Sequence, residues 1–583
     1  MSKHSLFTVK GKPFFPVGGQ AHNSTSYVLE DLKVSFNAVK KLNGNSLAVT
    51  ICWDRFEAAE GVFDRKYVTD IIQMARNENI KLVILWFGSW KNGIMGYCPP
   101  WVKNDTKRFK RVLSGDRKPV FNLSCHCPAN YEADGRAFAE LCATIRDFDA
   151  EEQTVIGIQV QNEAGHFGGA RRDFRPEATI EFESDVPKDL IEYMKGLETG
   201  RPDSGYKSSM TSSFGSSFNS CSNNYPSSCL IDKWVKSGHK QSGNWIEIFG
   251  RFGAEAFTAY TVAKYINYVA GEGRKQYDIF MYVNVALDGG SRGEDWEIPG
   301  ISYFAGGPVP KVRDIYYHVC DNIDALCPDD YKTETMRHKE VLDFYTHPEA
   351  GWPLYVPESG TQAVNTAHMM YAAADLGAIG YHIFGVESSL DRDGNLRPSS
   401  EGAARSFLML KNMAPLLARY RNTSRIKGIY QYTGEAGRLL EFDNWKCYVS
   451  YIGLKAYNWG NVGSDYRHDE TISRTLGDNM MDFEAEKGRG ILIQTGDDEF
   501  YMVGHAFHLF FNEYEPMDGS IPNMLLNPTL QVTGTEYVDV TEGHFDENMK
   551  YVVDRVRSGD ENWRGTWAAA DCGVIRFTLH RNG

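Results

Sequence analysis

Two short stretches carry the residues with the most chemistry in them. IGIQVQNEAGHFGG (156–169) begins as an apolar, strand-like run and then, with no turn residue between, reaches Asn162 and Glu163. PLYVPES (353–359) ends in the same manner on Glu358. A carboxylate at the tip of a buried run is costly unless its surroundings use its charge or its proton. Two such carboxylates facing across a pocket can divide the work of breaking an acetal bond. One, protonated, assists the departing oxygen, while the other, ionised, attacks the carbon or activates water. A gap of about 5–5.5 Å favours a covalent intermediate and retention, and a wider gap admits water and gives inversion.

The elements that must position these residues follow from hydrophobic patterning. Eight short apolar runs recur: FFPVGG (14–19), SLAVTICW (46–53), KLVILWF (81–87), VIGIQVQNE (155–163), IFMYVNVAL (279–287), DALCPDDY (324–331), PLYVPES (353–359) and AIGYHIFG (378–385). Continuous rather than alternating apolar character suits strands covered on both faces, as in a parallel sheet. Between them lie segments of helical period, at 68–79, 135–148, 246–273 and 365–378. Eight buried strands alternating with helices predict an α/β fold, a (β/α)8 TIM barrel with loop insertions, over residues 1–418. The competing doubly wound sheet lacks support, because no G-x-G-x-x-G follows any strand. In a barrel, polar residues at the C-terminal strand ends form the site, which assigns Glu163 to strand four and Glu358 to strand seven. The largest insertion spans about 166–245, and its Ser/Asn-rich tract 208–229 reads as a covering loop. After residue 418 the texture changes to strands separated by Gly, Asn and Asp, predicting a C-terminal all-β domain of sandwich type over 419–583.

Several motifs extend the reading by resemblance. QNE ending strand four, with Glu ending strand seven, resembles the pattern of glycoside hydrolase clan A. WDRFEAAEGVFD (53–64) resembles the W-E-x-F-E-P-x-E-G-x-F/Y-D stretch after strand two of β-galactosidases of families 35 and 42. LWFGSWKNG (85–93), PPWVKNDTKRF (99–109), GGPVPKVRDIY (306–316) and GRGILIQTG (488–496) are similar to a bacterial β-galactosidase-like group with a β-rich C-terminal domain, and family 165 is a further candidate. The resemblance implies a retaining exo-β-glycosidase acting on terminal β-D-galactosides without a cofactor. Glu163 then matches the acid/base, Asn162 the residue that bonds the sugar 2-hydroxyl, and Glu358 the nucleophile. Tyr331, ending strand six, stands where the clan often has a residue bonded to the nucleophile. Trp90, Asn284 and Glu387 end or follow strands three, five and eight and would line the sugar subsite, joined by His22 and Asp54. Gln20, Gln161 and Asp54 depart from the pattern's usual glutamates; Gln20 and Asp54, near the glycone pocket, leave the exact sugar open. Each assignment has a plainer alternative: Trp90 as packing, Asn284 as a turn cap, Glu387 paired with Arg392, His22 as a satisfied polar residue.

Composition bounds what remains. With 583 residues, more than one domain is expected. The net charge of −14 argues against nucleic acid or an anionic membrane as partner. No signal-like segment or long apolar run occurs, so a cytoplasmic location is expected. Eleven scattered cysteines suggest free thiols. Cys125 and Cys127 are close, with Cys98 upstream, but only one pair is tight, which is weak for zinc, so no metal is expected. The expected partner is a small galactoside or oligosaccharide, with a dimer or trimer as the assembly suggested by resemblance. The alternatives are another clan A glycosidase, acting on β-xylosides, α-L-arabinopyranosides or β-D-fucosides, and a non-catalytic carbohydrate-binding barrel.

Overall fold

The computed structural model describes residues 4–199, 230–287, 298–346, 351–432, 435, 437–451, 487–513, 535–557, 562, 565–569 and 571–581. The Ser/Asn-rich tract 208–229 lies outside the described residues. All eight apolar runs form parallel strands: β1 Val17–Gln20, β2 Ser46–Cys52, β3 Lys81–Phe87, β4 Val155–Val160, β5 Phe280–Ala286, β6 Ala325–Asp330, β7 Glu358–Ser359 and β8 Tyr381–Phe384. The sheet order is β7-β6-β5-β4-β3-β2-β1-β8, and a parallel bridge from Val356 to Tyr381 brings the β7 segment back to β8. This is a nearly closed TIM-like barrel. The seventh run pairs over only two residues. Pro353 and Pro357 lack the amide hydrogen that a longer ladder would use.

The chain divides into two compact units, Met1–Ser5 with Asn23–Leu29 and Ala48–Asp330, and Leu6–His22 with Glu30–Leu47 and Tyr331–Gly583. In the first, strands β3 to β6 are buried along nearly their whole length. Helices α1 (Arg65–Asn77), α2 (Pro128–Asp149) and α3 (Gly253–Arg274) follow the 3.6-residue pattern. In α1, Tyr67, Val68, Ile71, Ile72 and Ala75 form the buried stripe, and the Asp64 side chain caps its start by accepting from Tyr67 N at 3.0 Å. The described part of the insertion is not all loop, because it contains helices Pro176–Glu183 and Lys188–Thr199.

In the second unit, β8 pairs with β1 from Tyr381–Val17 to Phe384–Gln20. Helix α4 (Ala363–Met370) continues as a π turn at Tyr371–Asp375, and α5 (Glu401–Tyr420) leads out of the barrel. The C-terminal strands are β9 Ile426–Tyr430, β10 Gly437–Glu441, β11 Trp445–Ser450, β12 Arg489–Gln494, β13 Glu499–His505, β14 His508–Glu513, β15 Thr535–Phe545, β16 Tyr551–Val556, β17 Thr566–Trp567 and β18 Val574–Arg581. They make antiparallel sheets of order β9-β12-β13-β18-β15-β16 and β10-β11-β14-β17. Leu492, Phe500, Met502, Ile575 and Phe577 from the first sheet share one core with Trp445, Cys447, Val449, Leu509 and Phe511 from the second, the sandwich expected from the texture change.

Polar contacts seam the barrel helices to β9 and β12. The fully buried Arg489 guanidinium donates to Ser406 Oγ at 3.0 Å and Gly402 O at 3.1 Å on α5. Lys339 Nζ donates to Tyr430 OH at 3.0 Å and sits 4.1 Å from the centre of the Tyr371 ring. Asp375 Oδ2 accepts from Gly428 N at 3.1 Å. Gly428 permits that approach, since a Cβ there would lie 2.4 Å from the same oxygen. Burial pushes the Asp375 carboxyl up to about 6, against the weaker pull of Lys339 and Lys427. The unfolded chain therefore ionises this group first, so its stabilising contribution is complete below about pH 4 and declines as pH rises to about 6. The loss is roughly 3 kcal/mol. Asp375→Asn should remove this decline, so that thermal melts of wild type and variant diverge between pH 4 and 6 with the wild type losing. Parallel curves would refute the burial argument.

Candidate functional site

Strand β4 ends in backbone that ordinary residues avoid. Gln161 and Glu163 both have positive φ, 67° and 45°. Left-handed conformations cost non-glycine residues of order 1–3 kcal/mol and persist only where neighbours hold them. Here the neighbours are specific. Gln161 Oε1 accepts from Trp90 N at 3.1 Å, and its Nε2 donates to Asp134 Oδ2 at 2.7 Å. Asp134, on α2, also accepts from Trp86 Nε1 at 2.8 Å and Ser89 N at 3.1 Å. Full burial raises its pKa, and these donors pull it back. Gln161 thus ties the strand end to the β3 loop and to the helix layer behind it.

This bracing presents Asn162 and Glu163. Glu163 is 7% exposed. Its backbone N donates to Asn284 Oδ1 at 2.9 Å, and Asn284 Nδ2 donates to Asp329 Oδ2 at 2.6 Å. Asn284 on β5 is thus a support beneath Glu163, with both amide atoms engaged by protein. The β3 loop carries two further contacts: Lys91 Nζ donates to Asn162 Oδ1 at 2.9 Å, and Asn92 Nδ2 donates to Glu163 Oε2. Trp90 is fully buried, edge-on to Tyr265 with ring centres 4.8 Å apart.

In the second unit, Glu358 is 3% exposed, and its Oε2 accepts from Tyr331 OH at 2.7 Å. The half-exposed Tyr331 ring lies edge-on to Phe384, which in turn meets the His22 ring. Glu387 does not reach for Arg392. Its Oε2 lies 2.8 Å from His22 Nδ1, both its oxygens lie 3.3 Å from His22 N, and its Oε1 accepts from Ser35 Oγ at 2.5 Å. Gly385, with φ 68°, makes room, since a Cβ would lie 2.7 Å from His22 Nε2. His22, Tyr331, Glu358, Phe384 and Glu387 are therefore one connected set.

Asp54 belongs to another set, in the first unit. Its Oδ1 accepts from Tyr27 OH at 2.5 Å, and burial raises its pKa. The 53–64 motif around it is chiefly a scaffold. Buried Glu57 accepts from Trp53 Nε1 and from Gly61 N, each at 2.7 Å, and pairs with Arg136 at 3.2 Å. Cys98 and Cys127 direct their thiols at the carbonyls of Gly88 and Arg108. Among the described residues, no group of three metal-ligating side chains includes Cys98, Cys125 or Cys127.

Lys91, Asn92, Asp134 and Asp329 are absent from the residues singled out by sequence. The Asn-Gly pair at 92–93 is a hairpin signal that points to the first two. Asp134 and Asp329 carry no local signal, because their partners come from other strands.

Residues 403–569 match a family described as a domain of unknown function, DUF5597. No curated protein matches the chain. Among solved structures, the exo-β-1,4-mannosidase Op5Man5 from Opitutaceae bacterium strain TAV5 is 14% identical with a TM-score of 0.39, over 70% of this chain and 62% of that one. The β-galactosidase from Bacillus circulans sp. alkalophilus is 14% identical with a TM-score of 0.43, over 70% and 57%. The catalytic domain of β-amylase from Paenibacillus polymyxa is 11% identical with a TM-score of 0.44, over 67% and 97%. The chain thus spans less than two thirds of the first two. Among the described residues no helix is long and apolar enough to cross a membrane.

Gln161→Leu keeps the side-chain volume but strands the Trp90 amide and removes one donor from Asp134 Oδ2, which keeps its bond from Ser89 N. It should cost roughly 2–4 kcal/mol, read as a lowered melting temperature. A melt equal to wild type would mean that Gln161 does not brace the strand end.

Proposed function

We propose that this protein is a clan A glycoside hydrolase, a retaining exo-β-glycosidase that removes terminal β-D-galactosyl residues. One observation carries the reading: a buried glutamate lies just beyond β4 and another opens the short β7, and their carboxylates are each bonded to a neutral donor, Asn92 for Glu163 and Tyr331 for Glu358. Neutral donors orient a carboxylate without cancelling its charge, which suits groups that must exchange protons or attack carbon.

In the proposed mechanism the Glu358 carboxylate, oriented by the Tyr331 hydroxyl, attacks the anomeric carbon. The glycosidic bond breaks as Glu163 passes its proton to the leaving oxygen. Glu163, now ionised, takes a proton from water as that water displaces Glu358, and both carboxyl groups return to their starting states. Asn162 meets the sugar 2-hydroxyl, a contact that strengthens in the transition state by several kcal/mol. His22 and Glu387 form one polar edge of the glycone subsite. Residues 1–418 are the catalytic domain, and 419–583 are a second domain assigned no catalytic group.

Three measurements check the reading. A panel of p-nitrophenyl β-D-galactoside, β-D-mannoside, β-D-xyloside, β-D-fucoside and α-L-arabinopyranoside should give its highest kcat/KM on the galactoside; preference for another glycone would replace the sugar while keeping the class. Glu358→Ala should reduce turnover to background, and near-wild-type activity would remove Glu358 from the nucleophile role. Azide should restore activity to Glu163→Ala and yield a β-glycosyl azide, whereas an α-azide would contradict retention.

A further inference from the structure

The β3 loop turns on Asn92 and Gly93, both left-handed, with φ 51° and 66°. Lys91 N donates to Ile94 O at 2.8 Å and Ile94 N to Lys91 O at 3.2 Å, which closes a two-residue hairpin of the type that Asn-Gly favours. Backbone bonds join this hairpin to the end of β4. Gly93 N donates to Glu163 O at 3.0 Å, and Asn162 N to Trp90 O at 3.3 Å. Asn122 Nδ2 bridges Gly93 O at 2.7 Å and Gly165 O at 3.1 Å. The directions in which Lys91 and Asn92 project are therefore set by the same frame that holds Glu163.

From this frame we infer that the Lys91–Asn92 turn is a positioning device for the strand-four pair, with each residue assigning which atom of its partner faces the reaction. The inference rests on the proposed roles of Asn162 and Glu163. Lysine only donates, so the buried Lys91 ammonium must meet an oxygen. That settles the Asn162 amide with Oδ1 toward Lys91 and Nδ2 turned away, as a donor for a hydroxyl. An amide NH2 likewise cannot accept a proton. The carbonyl-type oxygen of a carboxylic acid is the better acceptor, so the Asn92 bond to Oε2 of Glu163 favours the acid proton on Oε1, the atom that then delivers it to the leaving group. Neither side chain touches the reacting atoms.

The test separates positioning from mere folding. Asn92→Gly keeps a turn that tolerates positive φ and deletes the amide, and Asn92→Asp keeps the turn and replaces the donor by an acceptor. The readout is kcat/KM on phenyl and 2,4-dinitrophenyl β-glycosides of the glycone that the panel selects. Dinitrophenolate departs without a proton and phenolate does not. Both variants should slow the phenyl substrate by about 10–100-fold, within the range of a misplaced general acid, and the dinitrophenyl substrate by less than about 3-fold. Lys91→Met should slow hydrolysis of the parent glycoside more than that of its 2-deoxy analogue, while Lys91→Arg restores part of the difference. Equal losses on both leaving groups, or on parent and 2-deoxy substrates, would overturn the inference and leave the glycosidase reading intact. Unchanged phenyl-glycoside turnover in Glu163→Gln, or no hydrolysis of any glycone by the wild type, would overturn both.

Discussion

The end of β4 is where this protein accepts backbone strain. Gln161 and Glu163 hold left-handed dihedrals that neither residue type favours, and their hydrogen bonds offset the cost. Gln161 anchors outward, to Asp134 on α2, and sideways, to the Trp90 amide. Glu163 is held through its own backbone, by Asn284 beneath it and Gly93 beside it. Much of the surrounding polar structure is explained by this one constraint. A fully buried aspartate on α2, an asparagine on β5 bonded to an aspartate on β6, and an Asn-Gly hairpin after β3 all converge on three residues of chain.

The cluster around Glu358 is built on a different principle. Strand β7 is short and needs no strained exit, and the carboxylate is held by a phenol rather than an amide. Around it, Phe384 and His22 form an aromatic run, and Glu387 takes its donors from His22 and Ser35. The two glutamates therefore differ in their donors as well as in their strands, which fits the two unequal roles proposed for them.

Much of this was legible from residue order. Eight apolar runs identified eight strands, because strands covered on both faces must be continuously apolar. The texture change near residue 418 marked the sandwich, although β15 and β16 carry a weaker pattern, with exposed valines at Val538, Val552, Val553 and Val556. Asn162, Glu163 and Tyr331 lie just beyond the C-terminal ends of β4 and β6, as the strand pattern predicts, whereas Glu358 opens the short β7 rather than closing it. The supports did not follow from that pattern. Gln161 read only as a neutral residue between strands, since its partners lie 27 positions before it on a helix and on a separate loop. Trp90 and Asn284 read as sugar contacts, whereas one is buried against Tyr265 and the other engages Glu163 and Asp329. Long-range partners of this kind leave no local pattern, and for that reason the supporting layer of a site is harder to read than its reactive groups.

The central claim is that Glu358 becomes covalently bonded to the sugar. Incubation with 2,4-dinitrophenyl 2-deoxy-2-fluoro-β-D-galactopyranoside, followed by intact-mass measurement and peptide mapping, tests it most directly. The account predicts one fluorosugar per chain, attached to the peptide that contains Glu358, with activity lost in step. Labelling of Glu163 or any other residue, or turnover that releases the inverted sugar with no adduct, would contradict it.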